Sequence, residues 1–561
     1  MRLGGGPDGR KLLTAMSRFH ATLLWCWLAG ACGGGGDDTQ LNPDGGGVDD
    51  GPIEPDAPLG PTWAFADVDG VPNLDDDDET GAMDWSQAPF AADDDYSKLT
   101  LSAEALTLVP VGAEVQLALS GGTADVKVYK EGELVLGGAS GATTFAFAPT
   151  GAEVELMIAF RDYAVAAQLV LTAGAHTATV KLQAAPLIMN HHLQPAEQLW
   201  ATATSGNEAF IASYQQVLGA KFTAVDGNRV EDDVWMQDEF EFATLTGNQG
   251  QRLDVVIDSI RNRGLDDLAE DAWLAPDTIA QTWGNPLQRT SYDSFGNLEA
   301  SPPVTVNGVE YPFGRIYYGR VGTGATSGLS NTLGAFLASQ RIQAPFQIPT
   351  NWLCIGHVDE FSSFVPDPSS PKGFKLVISD TTAAWNLLAT LPTNAQLPVY
   401  ANDHGYSTVG AMLSDSNLRA VNDDVQTDYL DPIVDKFKAE LGLTEADIIR
   451  LPSLFEQVSG CNGRVAALIP GMVNLIIAKP DNATTTHLFT ADPFFRATQS
   501  QTSDPVISAF RSLMPAGMEL HFLDNWDVYH MGLGEVHCGT NVRRTPTANW
   551  WTDAAHLVGS N

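Results

Sequence analysis

A series of short alternating segments between Leu99 and Ala185 is the feature that most restricts how this chain can fold. Apolar and polar residues alternate with a period of two in EVQLALS, DVKVYKEGELVLG, AEVELMIAF and HTATVKLQA, and turns rich in Gly, Pro and Ser separate such segments. Because alternate residues of a strand face opposite sides, each segment can bury one face in a core. The pattern predicts a β-sandwich of immunoglobulin type over residues 63–186.

The pattern changes after Ala185, where segments typical of helices alternate with segments typical of strands. NEAFIASYQQVLGAK and YLDPIVDKFKAELGL each place apolar residues on one helical face, and Gly442 is predicted to end the second helix. LDVVIDS and MVNLIIAK are predicted to be strands, the second of them buried. The sequence therefore predicts a mixed α/β domain over residues 187–561, in a multidomain chain whose 561 residues exceed what one core usually supports.

The N-terminal segment is predicted to lie outside both domains. MSRFHATLLWCWLAGAC has a short positive region, an apolar run and small residues at its end, so residues 1–32 are interpreted as a signal peptide. LAGAC resembles a bacterial lipobox with Cys32 as the lipidated residue, and a plain signal peptide is the alternative. Residues 33–62, rich in Gly, Asp and Pro, are predicted to form a flexible tether. We expect an exported protein, either secreted or held at the cell surface, with no membrane contact other than that lipid anchor.

The charge of the chain limits its partners. A formal net charge of −39 and a pI of about 4.3 disfavour nucleic acid and anionic membrane surfaces. Much of this charge lies in ADVDGVPNLDDDDETGAMDW, where oxygen-bearing side chains alternate around a glycine, as suits calcium, although the EF-hand pattern is not matched. The candidate ligands are Asp67, Asp69, Asn73, Asp75 and Asp77. A solvated acidic linker is the alternative interpretation.

The cysteines are few. Once Cys26 and Cys32 are assigned to the signal, Cys354, Cys461 and Cys538 remain, an odd number without a close CxxC pair. The sequence therefore predicts neither a disulfide framework nor a zinc cluster. Cys354 and Cys461 are expected to be buried. The histidines expected to be structural are His191, His192, His404 and His537.

Two short stretches contain candidate reactive groups. In GHVDEF, His357 and Asp359 are expected on one face of a strand, so that both reach the same pocket. His357 and Asp359 could bind a metal ion together, or His357 could act as an acid and base beside the Asp359 carboxylate. The alternative is that His357 is a buried, hydrogen-bonded structural histidine. Cys538 in GEVHCGTNVRR is a candidate nucleophile, although a buried free cysteine is usually inert.

Taken together, these stretches resemble the calcium-dependent peptidylarginine deiminases. The matching motifs, in the order of that family, are WMQDEFE, DSIRNRG, FGNLEASPPVTVNG, GHVDEF and GEVHCGTNVRR. The resemblance covers about residues 187–561 and implies an α/β propeller of five ββαβ-type modules, as in the guanidino-modifying superfamily. The acidic and β-rich segment before it resembles the calcium-binding, immunoglobulin-like domain of the same family.

The resemblance implies deimination of arginine in peptides or proteins to citrulline, with release of ammonia. The implied catalytic residues are Asp238, His357, Asp359 and Cys538, and the implied substrate-binding residues are Trp235 and Arg263. Two carboxylates suit the planar, charged guanidinium because they can accept its forked N–H donors. A thiolate would then attack the central carbon, and a histidine would protonate the departing ammonia and activate water. Trp235 would flank the aliphatic stem of the bound arginine, and Arg263 would contact backbone carbonyls of the substrate.

Calcium is the cofactor that the resemblance implies. One implied site takes side chains from Gln237, Glu241 and Glu299 and main-chain carbonyls from Phe295 and Leu298. The other takes Glu239, Asp258, Ser259 and Asn262. Calcium would fix Asp238 in place and would not itself attack the substrate. A bend is expected in VWMQDEFEF, because an extended strand would divide its acidic residues between two faces.

Two other functions are compatible with parts of the sequence. A deiminase of free arginine or agmatine, or an amidinotransferase, would share the cysteine, histidine and carboxylates without requiring the calcium set. A non-catalytic calcium-binding surface protein would account for the acidic N-terminal half and the tether. One departure from the family lies before the nucleophile, where Gly532 and Leu533 stand in a position often occupied by a basic residue.

Overall fold

The computed structural model describes residues 62–321, 324, 327–480, 483–498, 501–547 and 549–558. The predicted signal peptide, Cys32 and nearly all of the predicted tether therefore lie outside the described residues. Within the described part of the chain, no helix is both long enough and apolar enough to cross a membrane.

Two sheets that share one core make up the first part of the chain, and they confirm the strands predicted from the alternating pattern. In spatial order, the five-stranded sheet contains Val68–Gly70, His176–Ala184, Ala166–Ala173, Val115–Ser120 and Thr144–Phe147. The four-stranded sheet contains Ser97–Leu101, Val154–Phe160, Val126–Lys130 and Glu133–Gly137. One cluster of buried side chains, including Leu117, Ile158 and Leu171, joins the two sheets. Sequence alternation predicts this arrangement well because each strand buries one face.

Five small sheets with a common pattern follow. In each, one strand pairs antiparallel with a middle strand, and the middle strand pairs parallel with a third. The five sets, with the middle strand second, are Phe240–Thr246, Arg252–Asp258 and Thr278–Thr282; Leu298–Ala300, Ile316–Gly319 and Phe346–Ile348; Ser362–Pro366, Phe374–Asp380 and Ile448–Pro452; Ile476–Ala478, Thr486–Ala491 and Met518–Leu523; and Thr540–Arg544, Ala196–Ala203 and Phe222–Asp226. The strand Ile188–Met189 extends the first set, and two further strand pairs are Val304–Val306 with Val309–Tyr311 and Phe455–Gln457 with Val465–Ala467.

The last of these sets joins distant parts of the chain. Its middle strand Ala196–Ala203 pairs with Thr540–Arg544, the strand that directly follows the Cys538 motif. The pairing brings the start and the end of the predicted α/β domain into one sheet. Cys538 is thereby held at the edge of this sheet.

Helices connect and cover the small sheets. The α-helices are Ala103–Leu106, Glu208–Leu218, Met236–Glu239, Leu268–Ala272, Asn331–Ser339, Thr381–Ala389, Pro398–Asp403, Val409–Ser414, Ser416–Asp424, Asp431–Leu441, Pro505–Leu513, Trp550–Asp553 and Ala555–Val558, and a π-helical segment spans Val425–Leu430. The predicted helix around Phe210 is confirmed, with Phe210, Tyr214 and Leu218 buried. Gly442 ends the other predicted helix in a left-handed conformation, as expected.

Three predictions from the sequence need correction. GHVDEF is a turn that precedes the strand Ser362–Pro366, not a strand. The strand predicted over MVNLIIAK is confined to Ile476–Ala478. Cys354 and Cys461 form a disulfide, although the sequence predicted none, and Cys461 is only half buried. The pairing could not be anticipated because the two residues are 107 positions apart and meet only in the fold.

Candidate active site

Asp238 reaches the centre of the site from a short helix. VWMQDEFEF folds as the helix Met236–Glu239 followed directly by the strand Phe240–Thr246, so the expected bend is confirmed. The helix begins with a main-chain bond from the Asp238 N–H to the Trp235 carbonyl, at 3.1 Å. Asp238 is buried, and its Oδ1 has no hydrogen-bond partner within the described structure.

The turn that carries His357 and Asp359 is shaped by its own glutamate. The Glu360 carboxylate accepts hydrogen bonds from the main-chain N–H groups of Gly356, at 2.9 Å, and His357, at 2.7 Å. Gly356 adopts φ +94°, a conformation that side chains other than glycine rarely tolerate. This turn replaces the predicted strand, yet it brings His357 and Asp359 to one pocket, as the sequence predicted.

His357 is oriented by a main-chain carbonyl. Its Nε2 lies 2.8 Å from the Ser291 carbonyl oxygen, which can only accept, so Nε2 carries a proton. The other nitrogen, Nδ1, then faces Asp238 Oδ1 at 3.5 Å. Nδ1 is therefore the atom of His357 that is free to exchange a proton inside the pocket.

Asn474 holds Cys538 in place, and the sequence analysis did not identify it. Its side-chain oxygen accepts from the main-chain N–H groups of His537, at 2.7 Å, and Cys538, at 3.1 Å. Its amide nitrogen lies 3.2 Å from the Cys538 sulfur. A polar residue inside the apolar run MVNLIIAK is the signal that could have revealed it.

The Cys538 sulfur lies 3.4 Å from Asp359 Oδ2. Burial, followed by the charges of Asp359 and Asp238, raises the pKa of the Cys538 thiol well above its usual range. The thiol is therefore protonated at neutral pH until positive charge enters the pocket. A planar cation such as a guanidinium would supply that charge and favour the thiolate.

His537, which was expected to be structural, contacts Asp359 directly. Its Nδ1 lies 2.9 Å from Asp359 Oδ2. His192, also expected to be structural, lies with its Nε2 3.1 Å from the Nε2 of His537. His537 is therefore linked to Cys538 through Asp359, and His192 is linked to Cys538 through His537 and Asp359. The other two histidines bond elsewhere: His404 Nδ1 lies 2.7 Å from Glu456 Oε1, and His191 Nδ1 accepts from the Leu193 N–H at 3.2 Å.

Gly296 leaves the space that these side chains occupy. A β-carbon at this position would lie 2.8 Å from His357 Nδ1 and 2.9 Å from Asp359 Oδ2. The Gly296 carbonyl also accepts from the Asp359 main-chain N–H, at 3.1 Å. FGNLE is therefore part of the pocket wall.

Trp235 and Arg263 border the pocket. Trp235 packs against the turn before the nucleophile, where a β-carbon on Gly532 or Gly534 would approach its ring to 2.9 or 2.2 Å. Glycine at 532, a departure from the family pattern, thus fits the close contact with this ring. Arg263 forms ion pairs with Asp233, at 3.3 Å, and with Asp238, at 3.5 Å.

The first set of predicted calcium ligands is brought together. Gln237 Nε2 donates to Glu241 Oε2 at 2.7 Å and lies 3.5 Å from the Phe295 carbonyl oxygen. Burial and the charge of Glu299 raise the pKa of Glu241 well above its usual range. Leu298 and Glu299 begin the strand that follows Phe295.

The second set of predicted ligands contains carboxylate oxygens without hydrogen-bond partners in the described structure, although Glu239 Oε2 lies 3.5 Å from Arg263 Nε. Neither side-chain oxygen of Glu239, nor Oδ1 of Asp258, has a hydrogen-bond partner among the described residues, and all are buried. Burial raises the pKa of Glu239 to about 8 and that of Asp258 to about 9. Ser259 follows Asp258 and bonds through its N–H to the Glu239 carbonyl, whereas the Asn262 amide donates to Asp266 at 2.9 Å.

The acidic N-terminal candidates divide into two groups. Asp75 and Asp77 lie with Asp277 in one group whose oxygens are within 4.8 Å of one another. Asp67 instead accepts from the Lys181 N–H at 2.8 Å, and Asp69 accepts from the Asn248 amide at 3.0 Å.

The remaining candidate, Asn73, donates its amide to both oxygens of Asp93, at 3.0 and 2.9 Å. Its own Oδ1 is buried without a partner in the described structure. Asp277 was missed by the sequence analysis because it lies about 200 positions from the acidic run, and its N–H bonds to Asp75.

Comparisons with known proteins agree with this geometry. The family model Protein-arginine deiminase matches residues 175–552. The chain is 36% identical over 396 residues to protein-arginine deiminase type-4 of Rattus norvegicus, a match that covers 68% of this chain and 57% of that protein. It is 35% identical over 386 residues to the type-4 protein of Homo sapiens, covering 66% and 56%, and 34% identical over 399 residues to the human type-1 protein, covering 67% and 57%. The matches thus span somewhat more than half the length of these relatives.

Proposed function

The chain belongs to the protein-arginine deiminase family, and we propose that it hydrolyses the guanidinium group of arginine in peptides or proteins to citrulline and ammonia. The observation that carries this proposal is the convergence of a buried thiol, a histidine and two carboxylates in one pocket. The four residues are Asp238, His357, Asp359 and Cys538. They come from three segments that are distant in sequence, and a merely structural cysteine would not need such surroundings.

The two carboxylates suit the binding of a guanidinium. Asp238 Oδ1 and Asp359 Oδ1 are both buried without hydrogen-bond partners within the described residues. Charge-assisted bonds from a guanidinium would satisfy these oxygens and hold its plane across the pocket. Trp235, at the border, would lie along the methylene stem, and Arg263 would bond to main-chain carbonyls of a peptide. Arg263 must then leave its ion pair with Asp238, which frees that carboxylate for substrate.

The chemistry then proceeds from the positions of the atoms. With the guanidinium bound, its charge favours transfer of the Cys538 thiol proton to His357 Nδ1, and the resulting thiolate attacks the central carbon. His357 Nδ1 gives a proton to one terminal nitrogen, which leaves as ammonia, so a thiouronium remains on Cys538. A water molecule that transfers a proton to His357 adds to the same carbon. The C–S bond then breaks, citrulline leaves and the thiolate is restored.

We also propose two calcium sites beside the pocket. The buried, unpartnered oxygens of Glu239 and Asp258 are hard ligands that a divalent cation would satisfy, and Gln237, Glu241, Glu299 and the Phe295 carbonyl cluster in a similar way. Calcium would supply positive charge that neutralises these carboxylates and so orders the segment carrying Asp238. The same argument supports a further site at Asp75, Asp77 and Asp277, where burial and mutual repulsion raise the pKa of Asp77 to about 7.

The finer features of the fold belong to the same proposal. The five small sheets of repeated pairing pattern support a five-module α/β propeller over residues 187–561. The two sheets with a common core support an immunoglobulin-like domain over residues 63–186. Export, with or without a lipid on Cys32, stays a prediction, and the disulfide supports it because such bonds persist mainly in oxidising compartments.

The decisive experiment measures citrulline formed from a blocked arginine ester and from free arginine, each with calcium or with EDTA. We expect turnover of the blocked substrate with calcium only. Cys538→Ser is the matched control, since it removes the sulfur with little change in size, and it should bind calcium while releasing no ammonia. Undiminished turnover by this variant would overturn the assignment of the nucleophile.

Two other outcomes would redirect the proposal. Turnover of free arginine irrespective of EDTA would indicate a deiminase of small guanidines. Calcium binding without turnover of either substrate would indicate a non-catalytic calcium-binding protein.

A further inference from the structure

A cluster of two histidines and one glutamate lies next to the proposed catalytic pocket. His192 Nε2 is 3.1 Å from His537 Nε2 and 3.1 Å from Glu299 Oε2. The distance from His537 Nε2 to Glu299 Oε1 is 3.5 Å. Three potential metal-ligand groups thus converge on one small space. None of the steps proposed above makes use of His192.

The other ring nitrogens of both histidines already have partners. His537 Nδ1 bonds to Asp359 Oδ2 at 2.9 Å, and His192 Nδ1 lies 3.3 Å from the Ser363 hydroxyl oxygen. An ionised carboxylate only accepts, so His537 carries its proton on Nδ1 and presents the lone pair of Nε2 to the cluster. Histidines that bind metal ions typically have this arrangement, in which the second nitrogen donates to a carboxylate or other oxygen.

The space between the three side chains is rich in lone pairs. Glu299 is 5% exposed, and its Oε1 is buried without a hydrogen-bond partner among the described residues. While His537 is neutral, the contacts among the described residues bring at most one N–H to this space, that of His192 Nε2, and it cannot satisfy both glutamate oxygens and the His537 lone pair. A divalent cation would satisfy these lone pairs.

We propose that His192, His537 and Glu299 form a binding site for a divalent transition-metal ion of the zinc class. Imidazole nitrogens favour such ions, whereas calcium prefers oxygen ligands. Bond lengths of about 2.0–2.1 Å in a tetrahedral site place neighbouring ligand atoms about 3.3 Å apart, close to the separations in the cluster. His192 is 12% exposed at its side chain, which leaves a route for the ion. The site is distinct from the proposed calcium sites in its nitrogen ligands and shares only Glu299 with one of them.

The test is the binding of Zn²⁺, and of Co²⁺ as a spectroscopic substitute, by the full chain in the Cys538→Ser background. That background removes the active-site thiol as a competing ligand. We expect a tight site whose Co²⁺ form shows the visible bands of tetrahedral coordination. His192→Asn should weaken the affinity at least ~100-fold, and Ser363→Ala, which removes the outer partner of His192, about 10-fold or more.

A second histidine pair gives the matched control. His487, Glu519 and His521 form a more exposed cluster with His487 Nδ1 3.1 Å from His521 Nε2. His521→Asn should leave the tight site unchanged. Loss of binding in His521→Asn but not in His192→Asn would overturn the proposal, as would the absence of a tight site in the parent. Urea unfolding of each variant checks that it is folded, and His192→Gln replaces any His192→Asn protein that is not.

Discussion

The disulfide between Cys354 and Cys461 should stabilise the chain measurably, and its loop length sets the magnitude. The bond closes a loop of 107 residues. In the chain-entropy model, a loop of this length restricts the unfolded state by about 4.7 kcal/mol. If the proposed propeller of residues 187–561 unfolds as one unit, its unfolding entropy is about 0.8 kcal/mol/K, so the melting temperature should fall by about 6 °C when the bond is absent. The Cys354→Ser, Cys461→Ser double variant should show this shift.

The assay is thermal and urea unfolding of the parent and the double variant, each with and without a thiol reductant. Both proteins carry Cys538→Ser, so that the active-site thiol does not react. The reduced parent should match the double variant, and the reductant should not change the double variant. Equal midpoints for the oxidised parent and the double variant would refute the reasoning. Since Cys354 lies three residues before His357, the same substitutions in the active chain should also lower turnover if the bond holds the turn.

Two further predictions concern the pocket and the proposed calcium sites. The pKa values of Glu239 and Asp258 are raised to about 8 and about 9, so without metal the folded chain keeps protons that the unfolded chain has lost. The free energy of unfolding in EDTA should therefore fall as the pH rises from about 5 to about 9. Asp258→Asn should make this pH dependence less steep, as measured by urea unfolding. A steep slope that survives in both Asp258→Asn and Glu239→Gln would contradict this. Gly296→Ala should lower kcat/KM at least ~100-fold, because its β-carbon would lie within 3 Å of His357 and Asp359. Full activity of a folded Gly296→Ala protein would show that the pocket is arranged differently.

Much of the fold could be predicted because its strands follow simple periodicity. The segments between Leu99 and Ala185 alternate cleanly, since each strand has one buried face. The pocket was predicted from motif identity and not from geometry. GHVDEF illustrates the difference, because alternation at His357 and Asp359 suggested a strand, whereas Gly356 and the Glu360 carboxylate produce a turn.

Features that depend on contacts between distant residues could not be predicted. The partner of Cys354, the position of Asn474 behind Cys538 and the joining of Asp277 to the acidic run all depend on tertiary placement. Local patterns report periodicity and turn chemistry, but they contain no information about which remote segment will be adjacent. The contact of His537 with Asp359 was missed for the same reason, since Asp359 becomes its neighbour only in the fold.

Because Ala201 pairs with Thr540, we expect formation of the pocket to be a late event in folding. A sheet that joins remote segments must close a long loop before its contacts become favourable, and such contacts form slowly. Cys538 lies beside this sheet, and its carbonyl accepts from the N–H of Gln237, the neighbour of Asp238, at 3.2 Å. A chain in which this sheet has not closed would lack the contacts that place the sulfur beside the carboxylates. We therefore expect only completely folded molecules to be active. Titration of Cys538 with a guanidine-directed alkylating reagent would then measure the fraction of correctly folded molecules.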